Sequence, residues 1–503
     1  MLGAVVDGLV AVLTPQAILF MCVGVVYGIV VGIIPGLGGI VAMALLLPFI
    51  YGHEVAATLA LLIGCHIATI WGSSVTSILF NVPGSAKSLA LTFDGYPMTR
   101  QGHASRALGA SAMAALLGGI IGAVFLAISI PIVRPVMLAL GPAEYLVMAV
   151  WGLTVIATFS DGSLLKGLIA TAIGVSLAFV GMDPVTATPR YTFDSLFLLD
   201  GISFPVAMIG LFAIGEMIKL YVRGGGIITR DVGALQSTTM DGVRDTFRHK
   251  WLVVRSSMLG LWIGVLPGIG ASVGGIAAYA QAVQTSKHPE TFGTGNVEGV
   301  IAPDATLGAN EGGGLLPTLA LGIPGGESMA ILLIAFVALG IVPGPQMLTE
   351  NLDVVFSLVW IIVIASALTT VIGLAISGYL ARLPGLNPKL IIPLVMSISL
   401  VGAYATRGHM ADVFVAGIFG GIGYIMIKYN YSRANLVIGM VLAGMIERTL
   451  HLSISHYGEY FLFQRPVALI MFIILVITTA LPFIRSARRK AAAANAVAGG
   501  RAA

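Results

Sequence analysis

The chain has 503 residues, of which 57% are hydrophobic and only 10% charged, with a mean hydropathy of +0.99. An ordinary soluble domain is about a quarter charged, so this composition excludes a water-soluble globular fold. The net charge of +4 is small, and its basic residues gather in loops, which points to membrane orientation and away from nucleic acid.

Apolar stretches of roughly 20 residues, enough to cross a hydrocarbon core of about 30 Å, recur from Leu9 to Ile484. They are continuous rather than alternating, which predicts a helical bundle and not a barrel. The first residues lack the basic region and small-residue cleavage pattern of a signal peptide, so the N-terminus is expected to be retained as the start of the fold. Cys22 and Cys65 both lie in apolar runs and read as small buried hydrophobes, with neither a disulfide framework nor a cysteine metal site.

No Lys or Arg precedes Lys87, whereas Arg223, Arg230, Arg244, Arg248, Lys250 and Arg255 crowd the longest polar stretch. Arg485, Arg488, Arg489 and Lys490 follow the last apolar run. The positive-inside rule then sets the N-terminus outside and the central loop and tail in the cytoplasm. Single spans are predicted at about 107–130, 143–159, 165–181, 202–222, 353–380, 391–404, 411–427, 434–447 and 466–484. The expected division is a first membrane repeat (1–222), a cytoplasmic basic linker (223–250), a second membrane repeat (251–484) and a disordered cytoplasmic tail (485–503).

Two motif pairs recur in order. Gly28-Ile-Val-Val-Gly-Ile-Ile-Pro-Gly-Leu-Gly38 returns as Gly260-Leu-Trp-Ile-Gly-Val-Leu-Pro-Gly-Ile-Gly270, at an offset of 232 residues. Asn81-Val-Pro-Gly-Ser85 is answered by Gly322-Ile-Pro-Gly-Gly326, at an offset of 241. Charge flanks of opposite sign on the two units predict inverted-topology repeats. The fold expected is an all-α polytopic membrane protein of two such repeats, with broken or re-entrant helices at the Pro-Gly motifs.

Pro removes an intrahelical donor and Gly permits conformations that other residues avoid. Each Pro-Gly pair is therefore a predicted break, and broken backbone at membrane depth survives only when it is buried in protein or lines a cavity. Half-helix N-termini suit a carboxylate and free carbonyls suit a cation. Candidate substrate-binding residues are Ser73, Ser74, Asn81, Pro83, Gly84, Ser85, Lys87, Gly322, Pro324, Gly325, Gly326 and Ser328. Candidate tip or ion-binding residues are Pro35, Gly36, Gly38, Gly39, Pro267, Gly268, Gly270 and Ser272. The breaks are expected to converge near mid-membrane, with Asn81 to Lys87 facing Gly322 to Ser328.

Thr76, Ser77, Ser88, Asn310, Glu311, Thr318 and Glu327 add polar character nearby. An ammonium at Lys87 is costly in lipid unless paired; it reads as a substrate contact, as a structural partner of Glu311 or Glu327, or as a snorkelling side chain. Asp94-Gly-Tyr-Pro-Met98 reads as a turn ending a membrane segment with an interfacial Tyr. The eight histidines show no HExxH spacing and no Walker A sequence is present, so a transition-metal site and ATP hydrolysis are not expected. An intramembrane enzyme would need a Ser/His, paired-Asp or metal constellation, and none is evident.

The ordered motifs Gly-Ile-Ile-Pro-Gly-Leu-Gly-Gly39, Asn-Val-Pro-Gly84, Asp-Gly-Tyr-Pro-Met98, Val-Leu-Pro-Gly-Ile-Gly270, Leu-Pro-Thr-Leu-Ala-Leu-Gly-Ile-Pro-Gly325 and Gly-Ile-Val-Pro-Gly-Pro-Gln346 resemble the large membrane subunit of the tripartite tricarboxylate transporters. The resemblance spans about Gly24 to Pro482. It implies a bacterial inner-membrane permease for citrate or other di- or tricarboxylates. It further implies coupling to Na+ or H+ without other cofactor, and two partners, a periplasmic substrate-binding protein and a small membrane subunit. Elevator-like alternating access is an expectation by analogy with other binding-protein-dependent secondary transporters. Ser85-Ala-Lys87 departs from the family pattern after the first Asn-Val-Pro-Gly and leaves the substrate open. A stand-alone carrier or channel is the alternative.

Overall fold

Where no water is available, backbone groups must pair within their own segment, and the chain is helical along nearly all of its described length. The structure, a computed structural model, describes residues 1–34, 38–81, 83–158, 164–183, 187–222, 237–266, 270–380 and 388–477. Pro35, Gly36, Pro267 and Gly268, the first half of the expected linker (223–236) and the expected tail lie outside the described residues.

The first half opens with α1 (Leu2–Val12), α2 (Pro15–Gly32), α3 (Gly39–Leu46) and α4 (Val55–Phe80). After a break come α5 (Leu91–Arg100), α6 (Ala104–Ala139), α7 (Pro142–Thr158) and α8 (Leu164–Ala178). A two-residue antiparallel ladder pairs Gly181–Met182 with Pro189–Arg190. Beyond it lie the short α9 (Leu196–Leu199) and α10 (Phe204–Met208), joined by a π-turn over Ile209–Ile214 to α11 (Gly215–Val222).

The second half begins with α12 (Thr239–Arg248), α13 (Lys250–Val265), α14 (Gly270–Thr285), α15 (Glu298–Leu321) and α16 (Glu327–Ala338). It continues with α17 (Leu352–Leu380), α18 (Pro388–Arg407), α19 (Met410–Lys428), α20 (Arg433–Tyr457), α21 (Phe461–Gln464) and an apolar helix over Pro466–Ile477. Local chemistry sets several starts. Thr14 accepts from Ala17 N at 3.3 Å with Pro15 at the first helical position, and Ser432 accepts from Asn435 N at 3.2 Å.

Seven helices among the described residues are long and apolar enough to cross a membrane, and several turn large side chains outward. Phe414, Ile418 and Ile425 form one such exposed stripe on α19; such a face is stable against lipid and not against water. The chain is an all-α polytopic membrane protein. One boundary differs from expectation: α6 runs to Ala139 instead of ending near 130, and it carries Pro131 and Pro135 on its exposed face.

The two motif pairs mark matching contacts. Gly28 lies so close to α4 that a Cβ would stand 2.3 Å from the Cys65 carbonyl, and at Gly260 the same atom would stand 2.3 Å from the Thr306 carbonyl on α15. One turn on, Gly32 meets the Thr69 carbonyl at 2.7 Å and Gly264 meets that of Asn310 at 2.6 Å. The halves also interlock: α6 packs along α15, and α17 along α4.

Both core helices end alike. Asn81 caps α4 at φ 55° and Gly322 caps α15 at φ 68°, a left-handed conformation that costs most L-residues about 1–2 kcal/mol. Gly322→Ala is expected to lower the thermal unfolding midpoint of the purified chain, and Asn81→Gly to leave it unchanged. Equal midpoints for Gly322→Ala and the parent chain would show that the break relaxes freely.

Candidate functional site

Lys87 lies on the 3-10 turn Ala86–Ser88 that follows the first Asn-Val-Pro-Gly break. Its Nζ stands 3.6 Å from Oε1 of Glu311, in the middle of α15. His66, in the middle of α4, meets the other carboxylate oxygen of Glu311 through Nε2 at 2.8 Å. Both His66 and Glu311 are buried, whereas the Lys87 side chain keeps a quarter of its surface exposed. Of the three readings of Lys87, the structure shows the pair with Glu311.

Residues from the tips close on this group. Gly39, the first residue of α3, lies over the imidazole, so that a Cβ there would stand 2.9 Å from Nδ1 of His66. That nitrogen is buried without a hydrogen-bond partner. From the second half, Gly275 of α14 lies against the Lys87 carbonyl. Gly38 and Gly326, the N-caps of α3 and α16, both open onto free space without a side-chain cap. A small cavity of about 20 Å³, bordered by Glu311, Trp71, Ser366 and Thr369, adjoins the carboxylate and has room for about one water.

The remaining predicted residues support the breaks. Gly84 folds back on its own helix, where a Cβ would be 2.7 Å from Cα of Ser73, and Gly325 does the same on Gly314 at 2.6 Å. Both contacts keep the 241-residue offset. The Ser85 hydroxyl donates to that of Ser73 at 3.2 Å, and the Ser88 hydroxyl donates to the Ser85 carbonyl at 3.0 Å. In the second half Gly325 N donates to the Thr318 hydroxyl at 3.0 Å. Pro324 and Ser328 are buried, Pro83 is half-buried and Asn81 is exposed. The turn carrying Lys87 packs on α14, and α16 packs on α3. Each second break thus meets the arm that follows the opposite half's tip. Gly270 starts α14, and the Ser272 side chain lies outside the described residues.

Two polar groups escaped the sequence reading. His66 was dismissed with the other histidines as a non-ligand, and Asp304 was not singled out. The available signal was an ionisable residue inside an apolar helix, which costs free energy unless it serves a purpose. Asp304 is fully buried on α15 and its Oδ1 accepts from the Ser74 hydroxyl at 2.8 Å. The Ser111 hydroxyl of α6 is the other polar group beside the carboxylate, and no cation among the described residues stands there.

Asp94 requires a correction. The Asp94-Gly-Tyr-Pro-Met98 segment is helical within α5, with Pro97 inside it, and not a turn. The Asp94 carboxylate is buried and spends its acceptors on the other half: Tyr279 Oη donates at 2.8 Å, Gly295 N at 2.8 Å and Asn296 N at 2.9 Å. A carboxylate so supplied has no need to form the local side-chain bonds that favour a turn.

The helical membrane bundle has paired breaks and a Lys-Glu-His group in which Glu311 and His66 are buried and Lys87 is partly exposed. The model of the tripartite tricarboxylate transporter TctA family matches residues 18–438. The chain belongs to that family. This TctA-family protein is 31% identical over 489 residues to an uncharacterized 52.8 kDa protein in the TAR-I ttuC' 3'region of Agrobacterium vitis, covering 96% of this chain and 97% of the relative. It is 29% identical over 234 residues to an uncharacterized protein in the TAR-II ttuC' 3'region of the same organism, covering 46% of this chain and 97% of that relative. No solved structure matches. The family is one of transporters and not of enzymes, so the TctA-family chain is a multi-pass membrane transport protein. His66, Lys87, Asp304 and Glu311 all fall within the matched residues.

Proposed function

We propose that this chain is the large permease subunit of a binding-protein-dependent secondary transporter that imports citrate or another di- or tricarboxylate, driven by a Na+ or H+ gradient. In this reading it lies in the bacterial inner membrane with the N-terminus periplasmic and the C-terminus cytoplasmic. A small membrane subunit accompanies it, and a periplasmic binding protein delivers the substrate. The two halves are inverted repeats whose elevator-like motion exposes the site to each side in turn.

The observation that carries the reading is the partly exposed Lys87 ammonium held 3.6 Å from the Glu311 carboxylate beside the helix breaks. An arriving carboxylate competes with Glu311 for that ammonium, and the uncapped N-termini of α3 and α16 supply N–H groups of the right sign. The substrate is thereby offered charge and donors in place of the water it leaves. Backbone carbonyls near the tips are the matching ligands for a coupling cation.

The test is uptake of labelled citrate and a panel of other carboxylates by proteoliposomes holding this chain, its small partner and its binding protein, under a sodium or a proton gradient. Accumulation that needs both the gradient and the binding protein is expected. Accumulation without the binding protein would identify a stand-alone carrier, passive conductance a channel, and no uptake of any carboxylate a different substrate class.

A further inference from the structure

Asp304 stands two helical turns from Glu311 on the same helix, and its surroundings are unlike those of Glu311. The Glu311 carboxylate is met by Lys87 and by His66. Asp304 is fully buried, accepts from the Ser74 hydroxyl of α4 and has the Ser111 hydroxyl of α6 as its other polar neighbour. Several charged and titratable groups of the packed elements are engaged elsewhere or exposed. On α4 and the Lys87 turn, His66 and Lys87 serve Glu311; on α5 and α14, Asp94 and Tyr279 bind each other; on α6, Arg106 is paired with Asp245 at 2.6 Å. Lys250 and Arg255 of α13 are exposed, and α17 brings an acid only at its first turn, Asp353. No cation among the described residues forms an ion pair with Asp304.

An ionised carboxylate so enclosed has neither solvent nor counter-charge, and such a group takes up a proton instead. A metal ion held by protein oxygens needs about six or more of them, and one carboxyl with two neighbouring serine hydroxyls supplies too few. The location suits a switch, because Ser74, Ser111 and Asp304 come from three helices and both halves of the chain. Any motion that parts α4 or α6 from α15 changes what the carboxyl touches.

We infer that Asp304 binds the coupling proton: its carboxyl is the neutral acid in the conformation described here and gives up its proton when α4 and α6 part from α15. This inference rests on the reading of the chain as a gradient-driven transporter. The step is a proton transfer alone. A proton from water joins Oδ2 while Oδ1 keeps the Ser74 hydroxyl, and on opening it returns to water on the other side, leaving the carboxylate solvated.

The test is infrared spectroscopy of the full-length chain in lipid nanodiscs, titrated with pH, which needs no substrate. The parent chain is expected to show at neutral pH the carbonyl stretch of a protonated carboxylic acid, fading as pH rises. Asp304→Asn is expected to lose that band, and Ser74→Ala to keep it at a higher frequency because one hydrogen bond to the carbonyl oxygen is gone. Identical bands in the parent and Asp304→Asn, or loss of the parent's band on adding sodium at fixed pH, would overturn the assignment. Failure of citrate uptake with the band present would count against the transport reading alone, and carboxylate uptake without the band against Asp304 alone.

Discussion

Glu311→Ala is expected to destabilise the chain by about 3–5 kcal/mol, the usual consequence of removing one partner from a buried ion pair. Most of that loss comes from His66, whose ring is 2% exposed and loses its 2.8 Å contact with nothing else in reach of Nδ1. Lys87, a quarter exposed, regains some water, so its share is smaller. The measurement is the thermal unfolding midpoint of the purified chain, followed through a double-mutant cycle with Lys87→Met. The double variant Lys87→Met/Glu311→Ala is expected to lose less than the sum of the two single variants, because no uncompensated ammonium remains. A midpoint equal to that of the parent chain for Glu311→Ala would mean that the pair does not hold α4 and the Lys87 turn to α15. Glu311→Gln, which keeps the volume and removes the charge that competes for Lys87, is expected to lower the apparent KM for carboxylate uptake where the chain still folds.

Gly312→Val is expected to be strongly damaging at the interface between the halves. A Cβ at Gly312 would stand 2.1 Å from the Gly122 carbonyl oxygen and 2.3 Å from its carbon, and neither is a side chain that can turn aside. The helices α6 and α15 must then separate. Overpacking of this kind costs about 1–3 kcal/mol and occasionally more, and here it falls on a crossing built from small residues because close backbone approach is what holds helices together in lipid. Gly417→Val, on the outward face of α19 with open space around it, is the control. The expected outcome is a monodisperse, normally melting Gly417→Val protein beside a Gly312→Val protein of lowered midpoint and yield. Equal behaviour of the two would show that the crossing yields without penalty.

Much of this was legible before any coordinates. Spans such as 353–380 and 411–427 could be read because twenty apolar residues in a row have one solution in a membrane, and the helices found there differ by a residue or so at each end. The breaks after Phe80 and Leu321 could be read because Pro and Gly act on their own neighbours. The left-handed caps at Asn81 and Gly322 are the residue types that tolerate that conformation. Asp94 was misread because its acceptors are used by Tyr279, Gly295 and Asn296, about 200 residues away, and nothing in Asp-Gly-Tyr-Pro announces distant donors. The role of His66 is invisible to metal spacing, because its partner is the Glu311 carboxylate on another helix.

The sequence by itself determined the solvent, the helices, the paired motifs and the points where the helices break, since each follows from composition or from steric and hydrogen-bonding rules within a few residues. Only the tertiary structure decided which polar groups meet. His66 finds Glu311 across 245 residues and Ser74 finds Asp304 across 230, and periodicity along one helix says which face a residue occupies without saying what lies opposite. That choice was made by the glycine crossings, where α2 meets α4, α13 meets α15 and α6 lies along α15. Close backbone packing fixes the register of the bundle, and the register decides that Glu311 receives two cationic or donor neighbours while Asp304 receives only serine hydroxyls.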